Sequence, residues 1–328
     1  MTIIDVARVA GVSVSTVSKV INDRYGVAPE TYDKVMDVVS DLGYESSLVA
    51  SSLRRHSTNV IGILVPEFEP FSTELLKGIS SAAEGTGYEL LAYSGNLEHN
   101  QIGWERRSLS RLAGTLIDGA VIIAPTATLT DATIPVVAID PHTGPDGPST
   151  IDADNVGGAR AATQHLIELG HRRIGHLRGR TDLVSAQLRE QGYREALAAA
   201  GLPFDPDLVR VGGYRAAETT AGARELLTMA ERPTAIFAAN DLSAIRVIEI
   251  ANGLGLRVPE DLSVVGFDNV PEAANAEPPL TTVAQPLKQM GAEAVELLLS
   301  LLAGATEEQH LHLPATLVVR LSTAPPAG

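Results

Sequence analysis

From Val60 onward the chain alternates short apolar runs with stretches of helical period, and few folds accept that pattern. Apolar runs of strand length lie at 60–65, 89–93, 119–123, 135–139, 173–177, 208–211, 235–238 and 263–266. Amphipathic helical stretches separate most of them, at about 72–86, 100–114, 155–169, 185–200, 216–230 and 241–253. Such alternation predicts parallel sheets covered by helices on both faces. The strands are too many for one tidy sheet. Two similar Rossmann-like lobes with a cleft between them is the natural solution, with 149–154 as a crossing. Ligands of such sheets bind beyond the carboxyl ends of the strands. A strand at 281–284, a last helix at about 286–303 and a strand pair at 310–313 and 316–319 close the chain. Residues 125–134, with prolines at 125 and 135, are too few for a crossover helix, so that edge of the first lobe is expected to be abbreviated.

The first 45 residues follow a different rule. Thr2 and Asp5 have the spacing of a capping box, and Ile4, Ala7, Val6 and Ala10 supply one apolar face of a helix. Gly11 can take the left-handed conformation that ends it. Ser13 caps a second helix whose Val17, Val20 and Ile21 point back to the first. Its other face carries Val14, Ser15, Thr16, Ser18, Lys19 and Asn22, groups able to enter a major groove and reach base edges and phosphates. A capped helical pair with a solvated polar face has the same signature. Pro29 suits the first turn of a third helix, with a stripe of Tyr32, Val35, Met36, Val39 and Leu42 and an end at Gly43. Residues 46–59 then carry Leu48, Val49 and Leu53 among five serines, the composition of a linker or of a very short helix.

Charge opposes a DNA partner at first sight, because the net value is −15. Residues 1–60 hold six Lys/Arg against seven acids, while the remainder holds 19 against 33. The head is therefore neutral and the body acidic, so specificity would rest on placed contacts and on two heads acting together. With no cysteine, there is no disulfide and no thiolate chemistry. No stretch approaches a membrane span, and Asp5 and Arg8 interrupt any signal-like run, so a cytoplasmic location is expected.

Many collinear segments resemble the LacI/GalR family of bacterial transcription regulators: TIIDVARVAGVSVSTVSKVIN, VAPETYDKVMDVVSDLGY, LVASSLR, NVIGILVP, ELGHRRIGHLRG, PTAIFAANDLSAI, GLRVPEDLSVVGFDN, PPLTTVAQP and LVVRLSTAPP. The resemblance implies a helix-turn-helix DNA-binding head at 1–45, a hinge helix at 46–58, and a core like a type I periplasmic binding protein. The N-terminal lobe would span 59–153 plus 284–308, and the C-terminal lobe 154–283 plus 309–328. By position, Val14, Ser15 and Lys19 fall where the family reads bases, and Ser13, Thr16, Ser18 and Asn22 where it holds phosphates. Lys19 stands where Arg is common, and an ammonium cannot make Arg's bidentate fork to guanine. Ala50 and Leu53 match the minor-groove hinge. Glu45, Ser46 and Ser47 depart from the usual Arg-Pro-Asn there, which puts close approach to the DNA backbone in doubt.

For the effector, the resemblance points to Phe71, Ser72, Asp140, Arg189, Tyr214, Asn240 and Asp268. Carboxylates, an amide and a guanidinium suit a polyhydroxylated ligand, and the aromatic rings offer apolar faces. Ser72 and Gln187 replace a second aromatic and a second Arg of some relatives, which favours a sugar over a stacked purine. His165, His171 and His176 are not spaced as metal ligands on one helix face, and neither a metal nor a cofactor is expected. The expectation is a homodimeric repressor on a near-palindromic operator, controlled by a small effector. Dimer contacts would come largely from around 73–85, and no membrane partner is expected. A solute-binding protein would carry a secretion signal and lack the head. An α/β nucleotide-dependent enzyme would need a glycine-rich strand-to-helix turn; Gly253-Leu254-Gly255 follows a helix instead, so no enzyme is expected.

Overall fold

The computed structural model describes residues 2–21, 25–42, 57–95, 103–143 and 147–327. The chain divides into a small helical unit formed by its first 58 residues, with 114–116, and a large α/β unit.

In the small unit, α1 (Ile3–Ala10), α2 (Val14–Ile21) and α3 (Pro29–Asp41) enclose Val6, Ala7, Ala10, Val17, Val20 and Val35. The capping box forms: the Thr2 amide donates to Asp5 Oδ2 at 2.9 Å, and the Asp5 amide to Thr2 Oγ1 at 3.4 Å. Gly11 ends α1 at φ 65°. Two apolar expectations fail. Ile4 is 65% exposed because Ile3 takes the inward position one helical step earlier. Met36 is 40% exposed and Val38 packs in its place. Gly43 lies outside the described residues.

The large unit holds two six-stranded sheets. The first lobe contains β1 (Val60–Val65), α4 (Pro70–Ala83), β2 (Glu89–Ser94), α5 (Trp104–Leu112), β3 (Gly119–Ile123), β4 (Val136–Ile139) and β5 (Ser149–Ala153). The second contains α6 (Asn155–Glu168), β6 (Ile174–Arg178), α7 (Val184–Ala199), β7 (Val209–Val211), α8 (Ala216–Leu227), β8 (Ala235–Ala238), α9 (Asp241–Gly253), β9 (Ser263–Asp268), α10 (Pro271–Asn275) and β10 (Thr281–Ala284). The chain then returns through α11 (Leu287–Leu302) and β11 (His310–Leu313) and ends its strands with β12 (Thr316–Val318). Strand orders are β11-β5-β4-β3-β1-β2 and β12-β10-β9-β8-β6-β7, and all neighbours are parallel except β10 and β12.

The last two strands are not a pair. β11 lies parallel to β5 in the first sheet, whereas β12 runs antiparallel to β10 in the second. The change of sheet therefore falls between 313 and 316, and the expected lobe boundary at 308/309 is too early. The stretch at 149–154 is a full strand before the crossing rather than the crossing alone. No helix lies between β3 and β4, as the short gap required, but that gap is inside the sheet and not at its edge. α11 packs over β3, β4 and β5 and covers the face that a crossover helix would have covered. α11 meets α4 at van der Waals contact through glycines: a Cβ on Gly78 would stand 1.9 Å from the Lys288 carbonyl, and one on Gly291 2.3 Å from that of Leu75.

Candidate functional site

Strand ends from both lobes converge on one cavity of about 130 Å³. The first lobe sends Glu67 and Glu69 from beyond β1, Ala124 and Thr126 from beyond β3, and Asp140 and His142 from beyond β4. The second sends Arg180 and Asp182, Tyr214 and Arg215, Asn240, and Asp268 from β6, β7, β8 and β9. This is where parallel α/β sheets bind ligands, because the loops leaving the carboxyl ends are free of the packing that fixes the strands.

Backbone strain collects at these ends. Ala124, Asp140, Asp268 and Asn269 have φ of 48°, 51°, 107° and 56° without being glycine. Such conformations persist only where surrounding contacts over-determine them. Asp268 is held by Gln285 Nε2, which donates to its Oδ1 at 2.7 Å, and by Arg189. The buried Asp241 carboxylate fixes the chain just beyond it by accepting from the Val270 amide at 2.9 Å and from Thr282 Oγ1 at 2.5 Å. Burial and the neighbouring Asp268 push the Asp241 carboxyl well above the usual range.

Arg189 is the centre of the second lobe's wall and is only 2% exposed. Nε donates to Asn155 Oδ1 at 2.8 Å, Nη1 donates to the Ala239 carbonyl, and Nη1 lies 3.4 Å from Asp268 Oδ1. The guanidinium carbon sits 3.8 Å from the centre of the Phe267 ring. Burial raises the Asp268 carboxyl to about 6, against the opposing pull of Arg189 and a hydrogen bond from Gln285. Arg189 is thus a buried, fixed group and not a surface ion pair.

Asn240 is committed on both sides of its amide. Its Oδ1 caps α9 by accepting from the Ser243 amide at 3.0 Å, and its Nδ2 donates to the Tyr214 carbonyl at 3.0 Å. One amide hydrogen remains. The Tyr214 hydroxyl is 3.0 Å from Ser185 Oγ. Burial, with repulsion from the carboxylates of Glu67 and Asp268, raises Glu69 to about 7.

Of the residues expected around an effector, Phe71, Asp140, Arg189, Tyr214, Asn240 and Asp268 line the cavity. Ser72 does not: the helical step of about 100° from Phe71 turns it into the packing, where it is 1% exposed. Trp104, His142, Arg180, Asp182 and Arg215 also line the cavity and were not legible. Trp104 had one available signal, as the chain's sole tryptophan at the start of a helix. The next residue, Glu105, is buried and accepts from the amide and hydroxyl of Thr126, which holds the short β3–β4 connection beside the cavity.

The three histidines have structural partners. His176 stacks between Tyr193 and Phe237 with ring centres 5.0 Å from each, and burial lowers it to about 4. His171 bonds Thr234, Ser263 and the Ala324 carbonyl, and His165 bonds Thr323. Among the described residues no group of acids and histidines is arranged to hold a metal ion.

In the head, Ser13 Oγ accepts from the Thr16 amide at 3.1 Å and shares a 2.9 Å hydrogen bond with Thr16 Oγ1. Val14, Ser15 and Lys19 are exposed along one side of α2, and Ser18 is half-buried. Asn22, Ala50 and Leu53 lie outside the described residues.

Residues 2–47 match the sequence model of bacterial regulatory proteins of the lacI family, and residues 163–323 match a periplasmic binding protein-like domain. The HTH-type transcriptional regulator CelR of Thermobifida fusca is 37% identical, with 97% of this chain and 96% of that protein covered. The chain belongs to the LacI family. The HTH-type transcriptional repressor PurR of Aliivibrio salmonicida is also 37% identical, over 94% and 95% of the two chains. Among solved structures, a CelR–cellobiose complex superposes with a TM-score of 0.73 at 36% identity, covering 98% of this chain and 99% of that one. A lac repressor dimer bound to operator and an anti-inducer gives 0.82 at 28% identity, with 99% of each covered. The protein is accordingly a transcription regulator of that family, with a DNA-binding head and a periplasmic-binding-protein-like core. No described helix is long and apolar enough to cross a membrane.

Proposed function

We propose that this LacI-family regulator is a homodimeric repressor whose operator affinity is set by a sugar or sugar-like molecule in the cleft. The observation that carries the ligand reading is the buried Arg189–Asp268 pair beside Asp140, Asn240 and two aromatic faces at the mouths of two parallel sheets. Directional donors and acceptors of this kind match a polyol, and an aromatic ring covers the apolar face of a pyranose. CelR, a relative of full length, has been solved with cellobiose, which supports the same class here.

Val14, Ser15 and Lys19 read bases, while Ser13, Thr16, Ser18 and Asn22 hold phosphates. Ala50 and Leu53, in the 46–58 hinge, enter the minor groove. Ser13 and Thr16 hold one another's hydroxyl groups, so they present an ordered pair of oxygens to the DNA backbone. A ligand that favours one arrangement of the lobes changes how two first lobes pack, through the face around 73–85, and so the separation of the hinges. Effector and operator affinities are then linked reciprocally, by about 1–3 kcal/mol in typical cases. Operator half-sites would lie about one helical turn apart or a multiple of it.

Random-site selection with the purified protein, with and without a panel of sugars, tests this reading. The expected result is a near-palindromic consensus whose retention changes with one sugar. No preferred duplex under any condition would refute it.

A further inference from the structure

The charges around the cleft do not cancel: six carboxyl side chains line it against three arginines, Glu218 shares Arg215 with Glu67, and Asp140 and Glu69 are left without a cation among the described residues. Each lining arginine is already engaged: Arg180 with Asp182 at 2.6 Å, Arg215 with Glu67 at 2.7 Å, and Arg189 with Asp268 at 3.4 Å. Asp140 lines the same cavity and is 8% exposed, yet its carboxylate makes no hydrogen bond or ion pair among the described residues. Its direction is fixed by the backbone. Asp140 has φ 51°, and its amide donates to the Ile151 carbonyl at 2.8 Å. The nearest polar neighbour on its loop is His142, which burial holds below the usual imidazole range and whose Nδ1 is buried without a partner. The field of Asp140 is felt across the cavity, where it raises both Asp268 and Tyr214.

Resting on the sugar reading above, we propose that the cleft admits hydroxyl-rich ligands without negative charge, and that Asp140 is the specificity-determining residue that excludes phosphorylated and carboxylated sugars. A carboxylate offers only acceptors, so it pairs with hydroxyl or ammonium groups and has nothing to give a phosphate. Two like charges brought within a few Å of each other in a partly enclosed cleft repel more strongly than they would in bulk water. Arg189 Nη2 is the guanidinium nitrogen still able to donate, but Asp268 already neutralises that side chain. A phosphate would have to break an existing ion pair to find a cation.

The sole tryptophan, Trp104, lines the cleft and makes intrinsic fluorescence a direct readout of occupancy. The full-length protein is titrated with common mono- and disaccharides, their 6-phosphates and their 2-amino analogues. The best neutral or amino sugar is expected to bind at least about 100-fold tighter than its own phosphate, the scale of a buried like-charge contact. Asp140→Asn retains the left-handed backbone, since Asn tolerates it. This variant should weaken the neutral sugar by about tenfold through loss of charged acceptors while narrowing the neutral-to-phosphate ratio by at least as much. A wild-type preference for a phosphorylated sugar overturns the proposal even if the variant does not fold, as does an unchanged ratio in a folded variant. Absence of a signal from any sugar, whatever its charge, overturns it together with the sugar reading beneath it.

Discussion

Arg215 reaches across the cleft to Glu67, with both Nε and Nη2 2.7 Å from Glu67 Oε2. The two side chains belong to different lobes: Glu67 follows β1 and Arg215 precedes α8. Both are partly exposed, so the pair contributes no more than about 1 kcal/mol. That is enough to bias an equilibrium between lobe arrangements without affecting whether either lobe folds. Glu67→Gln should leave the melting temperature nearly unchanged and weaken ligand binding by up to about fivefold, mainly through faster dissociation. Stopped-flow fluorescence would measure it.

Arg189 behaves differently because it is buried. Arg189→Ala would leave Asp268 as an uncompensated charge in the core and strip partners from Asn155 and Ala239. A loss of about 3–5 kcal/mol in chemical denaturation is expected, along with ligand binding. Arg189→Lys should restore charge but not the stack on Phe267, and recover only part of both.

Glu69 gives a pH dependence of definite sign. Its folded value is raised to about 7 from an ordinary 4.5, so the folded core binds a proton more tightly than the unfolded chain. Stability should therefore rise as pH falls from 8 toward 6.5. Further acidification brings opposing groups into play. Asp268, raised to about 6, continues the gain, while His142, His165, His171 and His176, all lowered by burial, lose stability below about 6.5 as the unfolded chain takes up protons. Melting curves of Glu69→Gln should slope less between pH 8 and 6.5 than those of the wild type, the remaining slope coming from Asp241 and Asp268.

Gly78→Ala should be among the most damaging single-methyl changes in the chain. The new carbon would meet the Lys288 carbonyl at 1.9 Å and force α4 and α11 apart, costing about 3 kcal/mol or more. Gly253→Ala is the matched control. It meets nothing within 4 Å at the end of α9, and should be neutral or stabilising by about 0.5 kcal/mol. Comparison of denaturant midpoints separates the two.

Lys19→Ala tests the head. Lys19 is exposed on α2 beside Val14 and Ser15. Binding measured on an operator and on its single-base variants should lose discrimination at one position by about 1–3 kcal/mol. An equal loss on every duplex would assign Lys19 to phosphate alone.

The fold was largely readable because its period is strong. Apolar strands buried on both faces, such as VIGILV and GAVII, leave no alternative to parallel sheets, and the helices that follow keep their stripe. Strand pairing over long range was not readable. HLHL and TLV look like neighbours in a hairpin, and nothing local says that one extends the first sheet and the other the second. The cavity divides the same way. Asp140, Asn240 and Asp268 follow strands and could be found from that alone. Trp104 reaches the site from the first turn of a helix on a different connection, and Glu67 and Arg215 matter only because tertiary structure brings them together. Met36 and Ile4 show the remaining weakness: on short helices a one-residue phase error changes which side chain is inside.

The first lobe is completed by the end of the chain. Its sheet begins at Val60, yet its covering helix α11 and its outer strand β11 arrive only with residues 287–313. During synthesis the opening five strands must wait, with β3, β4 and β5 uncovered on one side, until nearly the whole polypeptide has left the ribosome. The second lobe has no such delay beyond β12. A nonsense mutation shortly before residue 287 would therefore release a chain able to assemble much of its second lobe beside an unfinished first, exposing apolar strands to aggregation and chaperones.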